Sequence, residues 1–176
     1  MKNLEYLITT VDASAIDLKA EGDLIRRSLA SLRDEGKNQI IITIEELSEL
    51  TQAILAMYNK TPENILNLTE EVADVELCLR YVAFVFKFDE SKVHNVEVFD
   101  NLRDVLNALA KLSQSLTKHL RSKTDRDLTL SLYYKVMDSL EFVISYFNIN
   151  TDDVIKIRKL KDNKLRDILE EGESYQ

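Results

Sequence analysis

Glycine and proline are almost missing from this chain: it has three glycines and one proline in 176 residues. Strands need turn residues between them, so the scarcity points to helices joined by short loops and to an all-α fold. The single cysteine, Cys78, excludes an internal disulfide, and within LCLRYV it reads as a buried apolar residue and not a nucleophile. No apolar run approaches the roughly 20 residues that span a membrane, and MKNLEYLITT holds no signal-peptide core. The expectation is a cytoplasmic protein with no membrane partner. Basic residues are the minority, 23 against 31 acidic, for a net charge of -8; that balance argues against a duplex nucleic-acid partner, whose phosphates need a basic surface. Gly-rich phosphate loops, Cys-x-x-Cys pairs and Gly-x-Ser-x-Gly elbows are also absent, and neither His94 nor His119 belongs to the Glu-x-x-His pair of a di-iron bundle.

What the chain does have is acid in a pattern. EELSEL (Glu45 to Leu50) and EEVADVE (Glu70 to Glu76) each open a run of apolar residues at helical spacing: Leu47, Leu50, Ile54 and Met57 in the first, Leu68, Val72, Val75, Leu79, Val82 and Phe86 in the second. At about 100° per residue, Glu46 and Glu71 fall at the flank of their stripes, with Glu49 and Asp74 one turn on along the same side. An antiparallel hairpin turning through Thr61 and Pro62 would bring these four carboxylates together at the edge of a helical core.

Such a meeting calls for a cation. Two unit charges about 4 Å apart repel by roughly 4 kcal/mol at an effective dielectric of about 20, and several such contacts would rival the roughly 5–15 kcal/mol that stabilises a domain. Either the carboxylates splay into water or a hard cation joins them. All-oxygen ligands suit Mg²⁺, Mn²⁺ or Ca²⁺, and Mg²⁺ characteristically shares its shell with substrate phosphates. Acid pairs three apart are common here, at Glu97 and Asp100, Asp138 and Glu141, and Asp167 and Glu170. On the helix of Asp138 the stripe of Leu132, Val136, Leu140, Val143 and Phe147 lies nearly opposite, which predicts a solvated pair there.

Glu-Glu-x-x-Glu, 21 intervening residues and Glu-x-x-Asp, flanked by EELSELTQAI and LTEEVADVELCLRYV, closely resemble the signature of the all-α nucleoside triphosphate pyrophosphohydrolases, the MazG-like and dimeric dUTPase-like superfamily. The resemblance covers about Ile40 to Val93. It implies an all-helical fold, dependence on Mg²⁺ (with Mn²⁺ as a substitute), and hydrolysis of a nucleoside triphosphate to the monophosphate and pyrophosphate. Carried over position by position, Glu46, Glu49, Glu71 and Asp74 match the metal ligands, and Glu45 and Glu70 become candidates for orienting the attacking water. Family members often place Lys, Asn or Arg after the second acidic helix to meet the nucleotide. In this chain VHNVEVFDNLR follows directly, without lysine, and the basic residues Lys161, Lys164 and Arg166, with Asn163, come in the closing KIRKLKDNKLRDIL, as in longer duplicated members; a solvated helix with i, i+4 charge pairs is the other reading of that segment. Phosphoribosyl-ATP pyrophosphohydrolase-like chemistry, or a non-catalytic helical protein binding nucleotide or a partner, are the alternatives.

The rest of the chain supplies helices around this hairpin. Leu4, Leu7 and Ile8 suggest a short helix or arm over residues 1–12, and Ser14 is the expected N-cap of a helix running to Arg33 and ending at Gly36, with Gly22 weakening or kinking it. Ile40 to Ile44 continues without a breaker into EELSEL and reads as the buried start of the second helix. Thr61-Pro62 has the form of an N-cap followed by proline at the first helical position, opening a helix to about Phe86. Asp89 to Ser91 is the expected cap of the next element, and Leu102 to Leu120 the next long helix.

The second half resembles a worn copy of the first: LAKLSQSL aligns with LSELTQAI at an offset of 62, and FVISYFNINTDDV with YVAFVFKFDESKV at 61. Glu46, Glu49, Glu71 and Asp74 then correspond to Ala108, Lys111, Leu132 and Lys135, so the copy has lost its acids. The expectation is one domain over 1–176: an N-terminal helical segment (1–38), the acidic hairpin (39–93), and a degenerate hairpin with a C-terminal helix (94–169). The two antiparallel hairpins would form a four-helix-bundle core. The stretch Leu77 to Phe86, apolar nearly all round, predicts a homodimer that buries part of it.

Overall fold

The computed structural model describes residues 2–32, 36–88 and 94–173. Among them it shows seven helices and no strand: α1 (Lys2–Thr10), α2 (Leu18–Leu32), α3 (Lys37–Ala56), α4 (Pro62–Phe86), α5 (Leu102–Leu120), α6 (Arg126–Phe147) and α7 (Thr151–Glu173). The all-α expectation holds. Arg33, Val93 and the segment 89–91, expected to cap the element after the acidic hairpin, lie outside the described residues.

α3 and α4 form one hairpin and α5 and α6 a second, with α3 also against α5 and α4 against α6. The seam between the hairpins is filled from equivalent positions of the two halves. Leu47, Leu50 and Ile54 are buried, and so are Leu109, Leu112 and Leu116 at the offset of 62; Val75, Leu79 and Val82 are matched by Val136, Leu140 and Val143 at 61. Each such side chain removed from water contributes about 1.5–3 kcal/mol, so this periodicity accounts for the packing. α4 and α6 also end alike. Lys87 and Asn148, again 61 apart, both close their helix at φ 55 and ψ 46, and the following Phe88 and Ile149 donate back to Ala83 and Ile144 at 2.8 and 2.9 Å. Across this junction Arg126 donates to the carbonyls of Phe86 and Lys87 at 3.2 and 3.0 Å, placing a cation at the negative end of α4.

Local chemistry sets the helix starts. Thr61 accepts from the Asn64 amide at 3.2 Å with Pro62 in the first turn, as its sequence predicts. Asn101 and Asp125 do the same for α5 and α6 through the amides of Asp104 and Leu128. α3 begins at Gly36, which has φ 80 and whose Cβ, if present, would lie 2.6 Å from Val85 Cγ2; the turn conformation and the close approach both require glycine.

Several expectations are corrected. α2 starts at Leu18, with Asp17 accepting from the amides of Lys19 and Ala20 at 3.0 and 3.1 Å; Ser14 lies outside the helix because its carbonyl and hydroxyl both engage Lys159 of α7. Gly22 sits inside α2 where that helix meets Phe84, its hypothetical Cβ 3.3 Å from Cζ, so it serves close approach. Ile40 to Ile44 is helical, yet only Ile40 and Thr43 are fully buried, and Ile41 and Ile42 face outward. Within the chain α2, α6 and α7 pack on α4, whose stretch Leu77 to Phe86 buries Cys78, Leu79, Tyr81, Val82, Ala83 and Phe86. Asp138 is not solvated: it accepts from His94 Nε2 at 2.9 Å and from the Glu97 amide at 2.8 Å, pinning the segment 94–101 across α6.

Candidate functional site: a carboxylate cluster between α3 and α4

Antiparallel packing of α3 on α4 brings the two acidic clusters together at the hairpin's outer edge. Glu46 and Glu71 are half-buried and Glu49 is exposed, and one carboxylate oxygen from each lies within 4.8 Å of the other two. Asp74, the fourth acid, stands beside them but is engaged: Lys161 of α7 places its ammonium 2.5 Å from both Asp74 oxygens and 3.6 Å from Glu70. α7 packs along α4, and this contact delivers the lysine from 87 residues away.

The electrostatics match a cluster short of positive charge. Burial, then the charges of Asp74 and Glu49, push Glu46 up to about 7, with Lys161 opposing the shift. Burial, then Glu49 and Asp74, push Glu71 up to about 7. Asp74 is raised by burial against the pull of Lys161, and Lys161 is raised because its bonds to Asp74 outweigh its own burial. Oε2 of Glu71 is buried without a hydrogen-bond partner, an arrangement that is costly unless a cation completes it. An all-oxygen donor set with an unsatisfied inward oxygen fits a hard divalent ion.

Carboxyls that ionise near 4.5 when unfolded and near 7 when folded hold protons in the native state across that window, so without divalent cations stability should fall as pH rises from about 5 to about 8. Urea midpoints measured in chelator should show this decline, flattened in a Glu46→Gln, Glu71→Gln double variant. A wild-type midpoint rising steadily over the same range would contradict the cluster's electrostatics.

The other residues singled out in the sequence are distributed unevenly. Glu45 is exposed on α3, while Glu70 is half-buried and paired with Lys161. Lys164 is exposed one turn beyond Lys161. Asn163 and Arg166 line a cavity of about 320 Å³ against α2 and the segment before it, on another face of α7 from the acids. Cys78 is buried, and its thiol is pushed up to about 12 by burial first and then by the charge of Glu46, which leaves it inert.

A second charged constellation went unread in the sequence. Glu21 of α2 is fully buried between Arg80 of α4, at 3.1 Å, and Arg158 of α7, which also reaches Glu76 at 3.0 Å. Arg80 was its legible signal, a lone charge within the apolar LCLRYVAFVF; nothing in the sequence said which acid would meet it. Compared with family models, curated proteins and solved structures, the chain finds no match in any of the three.

Proposed function

We propose that the protein is a Mg²⁺-dependent nucleoside triphosphate pyrophosphohydrolase, with a MazG-like four-helix bundle as its core. The observation that carries this reading is the convergence of Glu46, Glu49 and Glu71 within 4.8 Å beside the Asp74–Lys161 pair. The neighbour relations α3–α4, α5–α6, α3–α5 and α4–α6 support the bundle arrangement.

Glu46, Glu49 and Glu71, with Asp74, are the residues that would hold the metal. When bound there, a divalent ion supplies charge neutralisation on phosphate oxygens and lowers the pKa of a bound water. Lys161 keeps Asp74 oriented and brings a positive charge to the rim where an anionic phosphate chain would lie. Glu70, beside Lys161, and Glu45, on the open flank of α3, are the carboxylates proposed to orient the attacking water and receive its proton.

Position of cleavage is the test. Incubated with Mg²⁺ and a panel of common and modified nucleoside triphosphates in ¹⁸O-labelled water, the protein should release pyrophosphate and leave the label in the monophosphate. Label in orthophosphate with accumulating diphosphate overturns the assignment. Saturable nucleotide binding without any release indicates a non-catalytic nucleotide-binding protein.

A further inference from the structure

The carboxylate cluster has two unlike ends. At one, Lys161 meets Asp74 and Glu70; at the other, a shallow groove of about 330 Å³ runs between α3 and α4 toward the Thr61 turn, lined by Glu49, Gln52, Ala53, Ala56, Asn67 and Glu71. Two of the six are the acids themselves, so the groove is continuous with the cluster. Beyond them the charge stops: two carboxamides face the groove over a floor of alanine methyls. From Glu49 to Ala56 is two helical turns, about 10 Å along α3.

We propose that this groove seats the nucleoside half of a triphosphate whose phosphates lie on the cluster, with Gln52 and Asn67 as the residues that discriminate among bases. The proposal rests on the pyrophosphohydrolase reading and adds the direction in which the substrate lies. A phosphate chain is drawn to the end that carries an ammonium. Base and sugar are uncharged and carry both donors and acceptors, and a carboxamide offers both from one side chain. Small side chains at Ala53 and Ala56 leave the room that a planar base needs.

The degenerate hairpin provides an internal control. At the offsets that map Glu46 onto Ala108 and Glu71 onto Leu132, Gln52 maps onto Gln114, but Ala53 becomes Ser115, Ala56 becomes Lys118 and Asn67 becomes Leu128. Ser115 is buried against Thr129 at 2.7 Å. Three of the four neutral lining positions have changed together with the acids, as expected if both serve one ligand. A roomier cavity of about 380 Å³, bordered by Glu76, Arg80, Tyr134 and Arg158, is the competing seat. Arg80 lies nine residues after Glu71, about 180° around α4, so a ligand held there faces away from the acids.

Calorimetry with Mn²⁺ and α,β-imido analogues of dATP, dGTP, dCTP, dTTP and dUTP, against inorganic tripolyphosphate, tests the groove. The unaltered chain should bind at least one nucleotide analogue at least tenfold more tightly than tripolyphosphate. Ala56→Leu, at an exposed position, should weaken nucleotide analogues at least tenfold and leave Mn²⁺ and tripolyphosphate binding within twofold. Gln52→Ala and Asn67→Ala should change the ranking of the bases. Nucleotide affinities and ranking unchanged in all three variants overturn the groove and leave the metal reading intact, and so does equal affinity of the unaltered chain for tripolyphosphate and every nucleotide. A chain that binds neither Mn²⁺ nor any analogue overturns both.

Discussion

Glu71→Gln should lower pyrophosphate release at least roughly a hundredfold, about 2.7 kcal/mol of transition-state stabilisation, and at the same time make the metal-free protein more stable above pH 7. The two effects have one cause. Glu71 holds a buried oxygen without a hydrogen-bond partner and shares a 4.8 Å neighbourhood with Glu46 and Glu49, so its charge is costly to the fold and available to a cation. Its carboxyl is pushed up to about 7, so the neutral amide resembles the form the folded protein prefers below that pH. The gain in melting temperature should therefore be near zero at pH 5 and about 3 °C at pH 8 in chelator, roughly 1 kcal/mol in a chain of this size, kept that small because half of the group faces water. Millimolar Mg²⁺ should reverse the order by stabilising only the unaltered protein, by about 2.7 kcal/mol at a hundred times the dissociation constant. Activity lost with reduced metal-free stability would mean that Glu71 is a packing residue and that no cation is wanted there.

Glu21→Ala should cost more stability than any single change in the cluster, about 3–5 kcal/mol and a fall in melting temperature on the order of 10 °C. Glu21 is buried and binds two guanidiniums from different helices, Arg80 of α4 and Arg158 of α7, while Arg158 also holds Glu76. Removing that carboxylate takes away the acid that both guanidiniums share, leaves Arg158 with Glu76, and loosens α2 and α7 from α4. A Glu21→Leu, Arg158→Met variant should recover part of the loss, because an apolar pair of similar volume avoids the desolvation of the ions. Since Lys161 lies one turn beyond Arg158, Glu21→Ala should also weaken Mn²⁺ binding although Glu21 has no place in the cluster. A melting temperature within 2 °C of the unaltered protein would show that the network contributes little.

The acidic hairpin was legible because each part of it is a local rule. Thr61-Pro62 starts α4, the stripes of Leu47, Leu50 and Ile54 and of Val75, Leu79 and Val82 face one core, and the in-phase acids Glu46, Glu49 and Glu71 meet once the hairpin closes, with Asp74 beside them on Lys161. The offset of 61 recurs in the structure, where Lys87 and Asn148 close their helices in the same left-handed conformation.

What escaped the sequence is every contact whose partners are remote. Ser14 is a plausible N-cap by residue type, but Lys159 takes its carbonyl and Asp17 caps the helix. Asp138 lies opposite its helix's apolar stripe, which means solvent only if nothing else arrives; the segment 94–101 does, and His94 and the Glu97 amide bind it. Which helix covers the apolar stretch of α4, which lysine reaches Asp74 and which acid receives Arg80 were all settled when α7 and α2 packed on α4. By itself the sequence determined the all-helical class and the core stripes of the two hairpins, because periodicity and capping act over a few residues. Only the tertiary structure decided how charges are paired, because partners as much as 137 residues apart are chosen by which surfaces come together.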